Sequence, residues 1–246
     1  ERVEAGAQEL MEASRQYPDL GLLVGLPTAT GLTHGRGLRN SAYLVCNGEL
    51  LGVQHKSLLP TYDVFDEDRY FDPACERVPI PFKGERLGIS ICEDAWNDRE
   101  LWPHQRMYDC DPIAELAAGG ATLLVNLSAS PYSVGKEEKR YRLISRHAAR
   151  HGLPFLYVNQ VGGNDELIFD GRSLCLDARG APVAVLPGFA EAVVTVDTAA
   201  SGDPGAYAPQ EPIASVHDAL VLGLRDYMRK CGFSTAVIGL SGGIDS

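Results

Sequence analysis

Two residues leave apolar, strand-like runs at points where they could do chemistry. Cys92 closes "LGISIC" and is followed at once by "EDAWND", so its thiol stands where a buried strand meets a polar turn. Reactive groups in α/β folds are often placed at such strand ends. A buried structural cysteine would carry the same signature. Lys56 leaves "ELLGVQH" and opens the polar, aromatic loop "SLLPTYDVFDEDRYFDP", which holds Tyr62 and Glu67. A solvated surface cation would read the same way. A thiol with an ordinary pKa near about 8.5 is only a few per cent thiolate at neutral pH, so Cys92 needs activation. Glu93 and Asp94 are anionic neighbours and work against it.

A third stretch, "AVIGLSGGIDS", runs from an apolar segment into Ser241, Gly242, Gly243, Asp245 and Ser246. Backbone N–H groups and hydroxyls in such a turn can wrap an anion, and glycine lets the backbone approach it. No lysine follows the glycines, so the common P-loop is excluded.

The elements that must position these groups alternate in period. Val3 to Tyr17 reads as an amphipathic helix and "LGLLVGLP" as a buried strand. "SAYLVC" and "ELLGVQH" read as strands joined by a tight turn at Asn47-Gly48, because both turn residues tolerate positive φ. "RLGISIC" and "ATLLVNLS" read as strands on either side of a short helix from Asp111 to Ala118. "KEEKRYRLISRHAARHG" is a helix closed by Gly152. "LPFLYVNQ", "GRSLCLDARG", "APVAVL" and "AEAVVTVD" supply four more strands. "AASGDPGAYAPQEP" has linker composition, Ser215 to Cys231 reads as a helix, and Ser234 to Leu240 reads as the first strand of something new. The implied class is layered α/β with mixed sheets.

Composition narrows the partners. A net charge of −11 and no basic stripe exclude a nucleic-acid surface. No apolar run reaches the roughly 18 residues of a membrane span, and "ERVEAGAQEL" lacks the features of a signal peptide. The six cysteines form no CxxC pair or His cluster, so neither zinc nor a disulfide framework is expected. The expected setting is cytoplasmic, with a small-molecule substrate.

Taken in order, the "HK" of the lysine strand, the "DExRYFxP" pattern after it and the "ICED" of the cysteine turn resemble the nitrilase superfamily, whose amidases use a Glu-Lys-Cys triad. "NLSASPYSVGK" and "VNQVGGNDELIFDGRS" are similar to the glutamine-hydrolysing domain of glutamine-dependent NAD synthetases, and "SGGIDS" resembles the ATP-pyrophosphatase signature of their synthetase domain. The resemblance implies a nitrilase-like α-β-β-α sandwich over residues 1–198 and a linker over 199–214. Residues 215–246 would then be the first helix and strand of an adenine-nucleotide α-hydrolase-like domain. The chain reads as a two-part enzyme cut at both ends.

The implied chemistry is attack of Cys92 on the side-chain amide of glutamine. Lys56 and the backbone N–H of Glu93 would hold the oxyanion, with Glu67 supporting the lysine. Tyr62, Glu93, Ser130 and Lys136 correspond to glutamine-contacting positions, although Lys136 would also suit a plain helix start. Trp96 is read as core, and all six histidines as structural or solvated. The resemblance further implies ammonia transfer to nicotinic acid adenine dinucleotide activated by ATP with magnesium in the complete protein, no cofactor for the glutaminase site, and a homo-oligomer. It places the triad glutamate and a first strand ahead of residue 1, so the isolated chain is expected to hydrolyse glutamine negligibly. Two other readings stay open: a free-standing ω-amidase or carbamoylase, and a non-catalytic assembly domain.

Overall fold

The computed structural model describes residues 2–98, 101 and 108–244. Helix α1 (Arg2–Ser14) leads into an antiparallel three-stranded sheet of β1 (Gly21–Ala29), β2 (Leu38–Cys46) and β3 (Glu49–His55). The β2–β3 hairpin pairs Cys46 with Glu49, and its two-residue turn needs Asn47 at φ 50° and Gly48 at φ 79°. Asparagine and glycine are the residues that adopt this left-handed pair at least cost.

β4 (Ile80–Phe82) and β5 (Glu85–Ile91) begin a second sheet. α2 (Pro112–Ala118), β6 (Leu123–Ser128), α3 (Lys136–His151) and β7 (Phe155–Asn159) follow. After the hairpin β8 (Val161–Asn164) and β9 (Leu167–Asp170), β10 (Leu174–Leu176) and β11 (Pro182–Val185) complete this sheet. Its order is β11-β10-β7-β6-β5-β4, with β5, β6 and β7 parallel. Helix α4 (Pro212–Lys230) ends the regular structure among the described residues.

Two apolar seams stack these layers. Ala42 and Leu44 of the first sheet pack on Ile80, Leu87, Ile89 and Val125 of the second, joining the sheets face to face. On the other face of the second sheet, Leu124, Phe155 and Leu176 pack on Ile113 and Leu116 of α2 and on Leu143 and Ile144 of α3. With α1 against β1 and β2, the layers run α-β-β-α, the architecture expected from the sequence.

Several local expectations fail for physical reasons. Ala190–Asp197 alternates like a strand but belongs to no sheet, and Val193 is fully exposed. Alternation gives β-propensity; a ladder also needs an edge to pair with. Ser234–Leu240 fails in the same way, with Val237 and Ile238 open to solvent. The strand expected across Gly171–Gly180 shortens to Leu174–Leu176, because Asp177 turns the chain by accepting from the N–H groups of Arg179 and Ala181. The β8–β9 hairpin and the short β4 are additional elements. Helix α4 starts at Pro212, within the expected linker, and docks on the hairpin: Asp226 accepts from Gly163 N–H at 2.8 Å and Lys230 donates to Gly163 O at 2.5 Å.

Candidate active site

The parallel strands β5 and β6 end side by side, and the site begins where β5 stops. Cys92 opens a 3₁₀ turn (Cys92–Ala95) with φ 45°, a left-handed conformation that a non-glycine residue adopts only when its surroundings impose it. The surroundings here are hydrogen bonds. Asp94, buried beneath the turn, accepts from its own strand at Ile91 N–H (2.9 Å) and from the N–H groups of Ser57 (2.9 Å) and Leu58 (2.8 Å). The two residues after Lys56 are thereby tied to the turn that carries Cys92. Burial nevertheless pushes the Asp94 carboxyl up to about 6, against the pull of these N–H donors and of Lys56. From the helical layer, His147 donates Nε2–H to Ala95 O at 2.7 Å. From β6, Asn126 donates to Cys92 O at 3.4 Å and to Ser90 Oγ at 2.9 Å.

Lys56 is almost wholly buried, and its ammonium donates to Glu67 Oε1 at 2.5 Å. A lysine is buried in this way only when it is paired. Glu67 starts a short 3₁₀ turn (Glu67–Arg69), and its second oxygen, Oε2, is buried with no hydrogen-bond partner among the described residues. Lys56 and Glu67 lie close enough to Glu93 for both charges to act on its carboxyl.

In front of Cys92 is a pocket of about 440 Å³ lined by Tyr62, Cys92, Glu93, Trp96, Ser130 and Lys136. The loop after β6 brings in Ser130, which is locked by Asn159 of β7: Asn159 Oδ1 accepts from Ser130 N–H at 2.9 Å and its amide donates to Ser130 O at 3.3 Å. Lys136 is the first residue of α3, with its ammonium 5.6 Å from the centre of the Trp96 ring. Burial lowers its pKa, and the charge of Arg140 one turn on adds to the effect. Glu93 is 3% exposed, and burial raises its pKa. Tyr62 donates to both Glu93 oxygens at 2.9 Å, and Tyr108 donates to Oε1 at 3.1 Å.

The pocket therefore offers a thiol flanked by an anion at Glu93 and a cation at Lys136, an arrangement suited to a small zwitterion bearing an electrophilic carbon. The structure brings Cys92, Tyr62, Glu93, Ser130 and Lys136 together around one cavity, with Lys56 and Glu67 paired close by. Trp96, read from sequence as core, is also a wall of the pocket. Sequence reasoning missed Tyr108 and took Asp94 only as a charge beside the thiol; the "CED" triplet holds the one available hint to the second. At the far end of the chain, Ser241, Gly242 and Gly243 are exposed, with Gly242 at φ 78° and Gly243 N–H donated to Ser241 Oγ at 3.3 Å. Asp245 and Ser246 lie outside the described residues. Among the described residues, no cluster of three His, Cys, Asp or Glu could hold a metal ion, and no helix is long and apolar enough to cross a membrane.

Comparison with known proteins gives two family matches in tandem: carbon-nitrogen hydrolase over residues 5–202 and NAD synthase over residues 216–246. A glutamine-dependent NAD(+) synthetase from Synechocystis is 45% identical over 242 residues, covering 95% of this chain and 43% of that protein. One from Rhodobacter capsulatus is 39% identical over 216 residues, covering 85% of this chain and 37% of that protein. The solved structure of glutamine-dependent NAD+ synthetase from Acinetobacter baumannii, in complex with adenosine diphosphate, superposes with a TM-score of 0.81 at 30% identity, over 99% of this chain and 44% of that one. The chain thus spans less than half the length of these relatives. The first family match covers most of the residues, includes the whole pocket and coincides with the α-β-β-α layers: the chain belongs to the carbon-nitrogen hydrolase family.

Proposed function

We propose that this chain is the glutamine-hydrolysing part of a glutamine-dependent NAD synthetase, followed by the start of its ATP-using part. The observation that carries the reading is a cysteine held at φ 45° on a strand end, opening into a pocket with a carboxylate and an ammonium on its walls. The glutamine-hydrolysing part takes residues 1–198, the linker 199–211, and the start of the second part begins with helix α4 at Pro212. The tandem family matches and the relatives' names support this reading over a free-standing amidase, which would have no use for the second match.

The substrate enters with its α-ammonium towards Glu93 and its α-carboxylate towards Lys136 and Ser130, which presents the side-chain amide carbon to Cys92. The thiol gives up its proton to a carboxylate base and sulfur adds to the carbon. The resulting oxyanion is stabilised by the Lys56 ammonium and the Glu93 backbone N–H, an interaction typically worth about 3–4 kcal/mol in the transition state. Collapse breaks the C–N bond, and the base returns its proton to the departing nitrogen, so ammonia leaves and a γ-glutamyl thioester remains. Water then adds to the thioester, and the thiol departs with glutamate as product. Glu67 holds Lys56 in place by the 2.5 Å contact.

In the complete protein the ammonia amidates nicotinic acid adenine dinucleotide, activated by ATP with magnesium. The Ser241–Gly243 turn suits a phosphate in residue type and glycine conformation, and Asp245 and Ser246 would complete it. The complete protein is a cytoplasmic homo-oligomer. The test is Cys92→Ala in the full-length protein. Glutamine-supported NAD formation should fall by about 10³-fold or more, the scale of losing a nucleophile, while ammonia-supported formation persists. Equal loss of both would refute the two-site reading.

A further inference from the structure

Glu93 poses an electrostatic problem. Its side chain is 3% exposed, and among the described residues no cation pairs with it: the Lys56 ammonium is engaged by Glu67 and the Lys136 ammonium lies over Trp96. A buried carboxylate without a cation tends to take up a proton and become neutral. A neutral Glu93 would attract an ammonium poorly. What opposes protonation is the hydrogen bonds of two phenol hydroxyls, Tyr62 in the loop after β3 and Tyr108 just ahead of α2, with the Lys56 charge adding to them. Tyr108 is itself anchored, since Asn97 donates its side-chain amide to Tyr108 O at 3.3 Å and to Cys110 O at 2.5 Å. Both phenols are held firmly in their protonated, donating form: burial and the Glu93 charge raise their pKa values above the ordinary phenol range.

We propose that Tyr108 is a positioning residue that, together with Tyr62, keeps Glu93 ionised and aimed into the pocket, and so makes the site selective for an amide bearing an α-ammonium group over the same amide without one. The inference rests on the glutamine-hydrolysis reading. Tyr108 touches the carboxylate and not the reacting atoms, so its removal should act on recognition more than on turnover. Hydrogen bonds to a charged acceptor are about twice as strong as neutral ones. Tyr62, left alone, still donates to both oxygens, so the effect is partial.

The test compares wild type and Tyr108→Phe in the full-length protein, with glutamine and with its des-amino analogue, 5-amino-5-oxopentanoate. The expected result is a KM for glutamine raised about 5- to 30-fold with kcat changed less than about threefold, and kinetics on the analogue unchanged within about twofold. The acid limb of kcat/KM for glutamine should also move to higher pH, because a carboxylate with one donor fewer protonates more readily. The other groups acting on Glu93 are Lys56, Glu67, Tyr62 and Lys136. They are present in both proteins, so they do not mimic the shift, and the analogue's profile should not move. Equal losses on both substrates with no change in the pH profile would overturn the proposal by assigning Tyr108 a merely structural role. Unchanged kinetics with glutamine would overturn it as well. Thermal unfolding and the rate of Cys92 alkylation by iodoacetamide, which makes no use of Glu93, report whether the variant is folded. A wild-type protein that fails to hydrolyse glutamine would refute the underlying reading before the variant is measured.

Discussion

"LGISICED" and "AVIGLSGGIDS" are written alike, each an apolar run delivered into a small polar turn, yet the chain folds them in opposite ways. The first has a complete setting. β5 pairs with β6 from Leu87 to Ile91, both faces are buried, and Asp94, Asn126 and His147 fix the turn from three directions. The second has a left-handed glycine at Gly242, φ 78°, but Val237, Ile238 and Leu240 are exposed, and among the described residues no strand pairs with them. A strand-to-turn motif specifies the local path of the chain. The neighbouring strand and the buried polar groups turn that path into a site, because a strained turn holds its geometry only when its surroundings over-determine it.

Four substitutions sharpen or break this contrast, and activities refer to the full-length protein. The largest effect is expected at Lys56, where Lys56→Met removes the cation proposed to stabilise the oxyanion. Glutamine hydrolysis should fall about 10²- to 10³-fold, while ammonia-supported NAD formation stays near wild type. Hydrolysis at wild-type rates would mean that the buried Lys56–Glu67 pair is only structural.

Asp94→Ala comes next. It leaves the N–H groups of Ser57, Leu58 and Ile91 without their acceptor, and buried unsatisfied groups cost about 1–3 kcal/mol each. Unfolding of the 246-residue chain should shift down by about 2–4 kcal/mol, and glutaminase kcat in the full-length protein should fall about 10- to 100-fold as Cys92 and Lys56 lose their common tether. Calorimetry and glutamate release check the two halves separately. A stability loss with unchanged kcat would show that the tether does not set the catalytic geometry.

A smaller effect is expected where Tyr207 and Gln210 are clipped to the pocket helix. Glu137, next to Lys136, accepts from Arg172 Nε at 2.6 Å and from Gln210 N–H, while Tyr207 stacks on Tyr141 at 3.8 Å between ring centres. Glu137→Ala should cost about 1–3 kcal/mol by leaving these donors unpaired, speed proteolysis within residues 199–211, and change glutaminase kcat/KM less than about threefold. Smallest of all is Gly242→Ala. A Cβ at φ 78° is strained locally, but the segment is unpacked, so the melting of the 246-residue chain should stay within about 0.5 kcal/mol of wild type. A larger loss would mean that the loop is already part of a folded unit.

These contrasts also explain what could be read in advance. The Cys92 elbow was legible because a run of buried residues ends abruptly in acids. The β2–β3 turn was legible because Asn47-Gly48 carries its own geometry. The α-β-β-α layering followed from the alternation of periods together with the family motifs. Asp94 was opaque because its role depends on Ser57 and Leu58, 37 and 36 residues away in the chain. Tyr108 was opaque because an isolated phenol in a polar loop carries no periodic signal. Ala190–Asp197 and Ser234–Leu240 were misread as strands because alternation reports which side chains could face a core and says nothing about which edge is there to pair.

The central claim is that Cys92 is the one thiol made reactive by a pocket shaped for glutamine. Cys75 and Cys231 are more exposed, so simple accessibility would favour them. The direct measurement is to treat the full-length protein with a glutamine-shaped diazo ketone, which alkylates sulfur with loss of nitrogen, and to map the label by mass spectrometry with and without excess glutamine. The account predicts labelling at Cys92 ahead of the other five cysteines, slowed by glutamine. Labelling at Cys75 or Cys231 at the same rate, or at Cys92 without protection by glutamine, would contradict it.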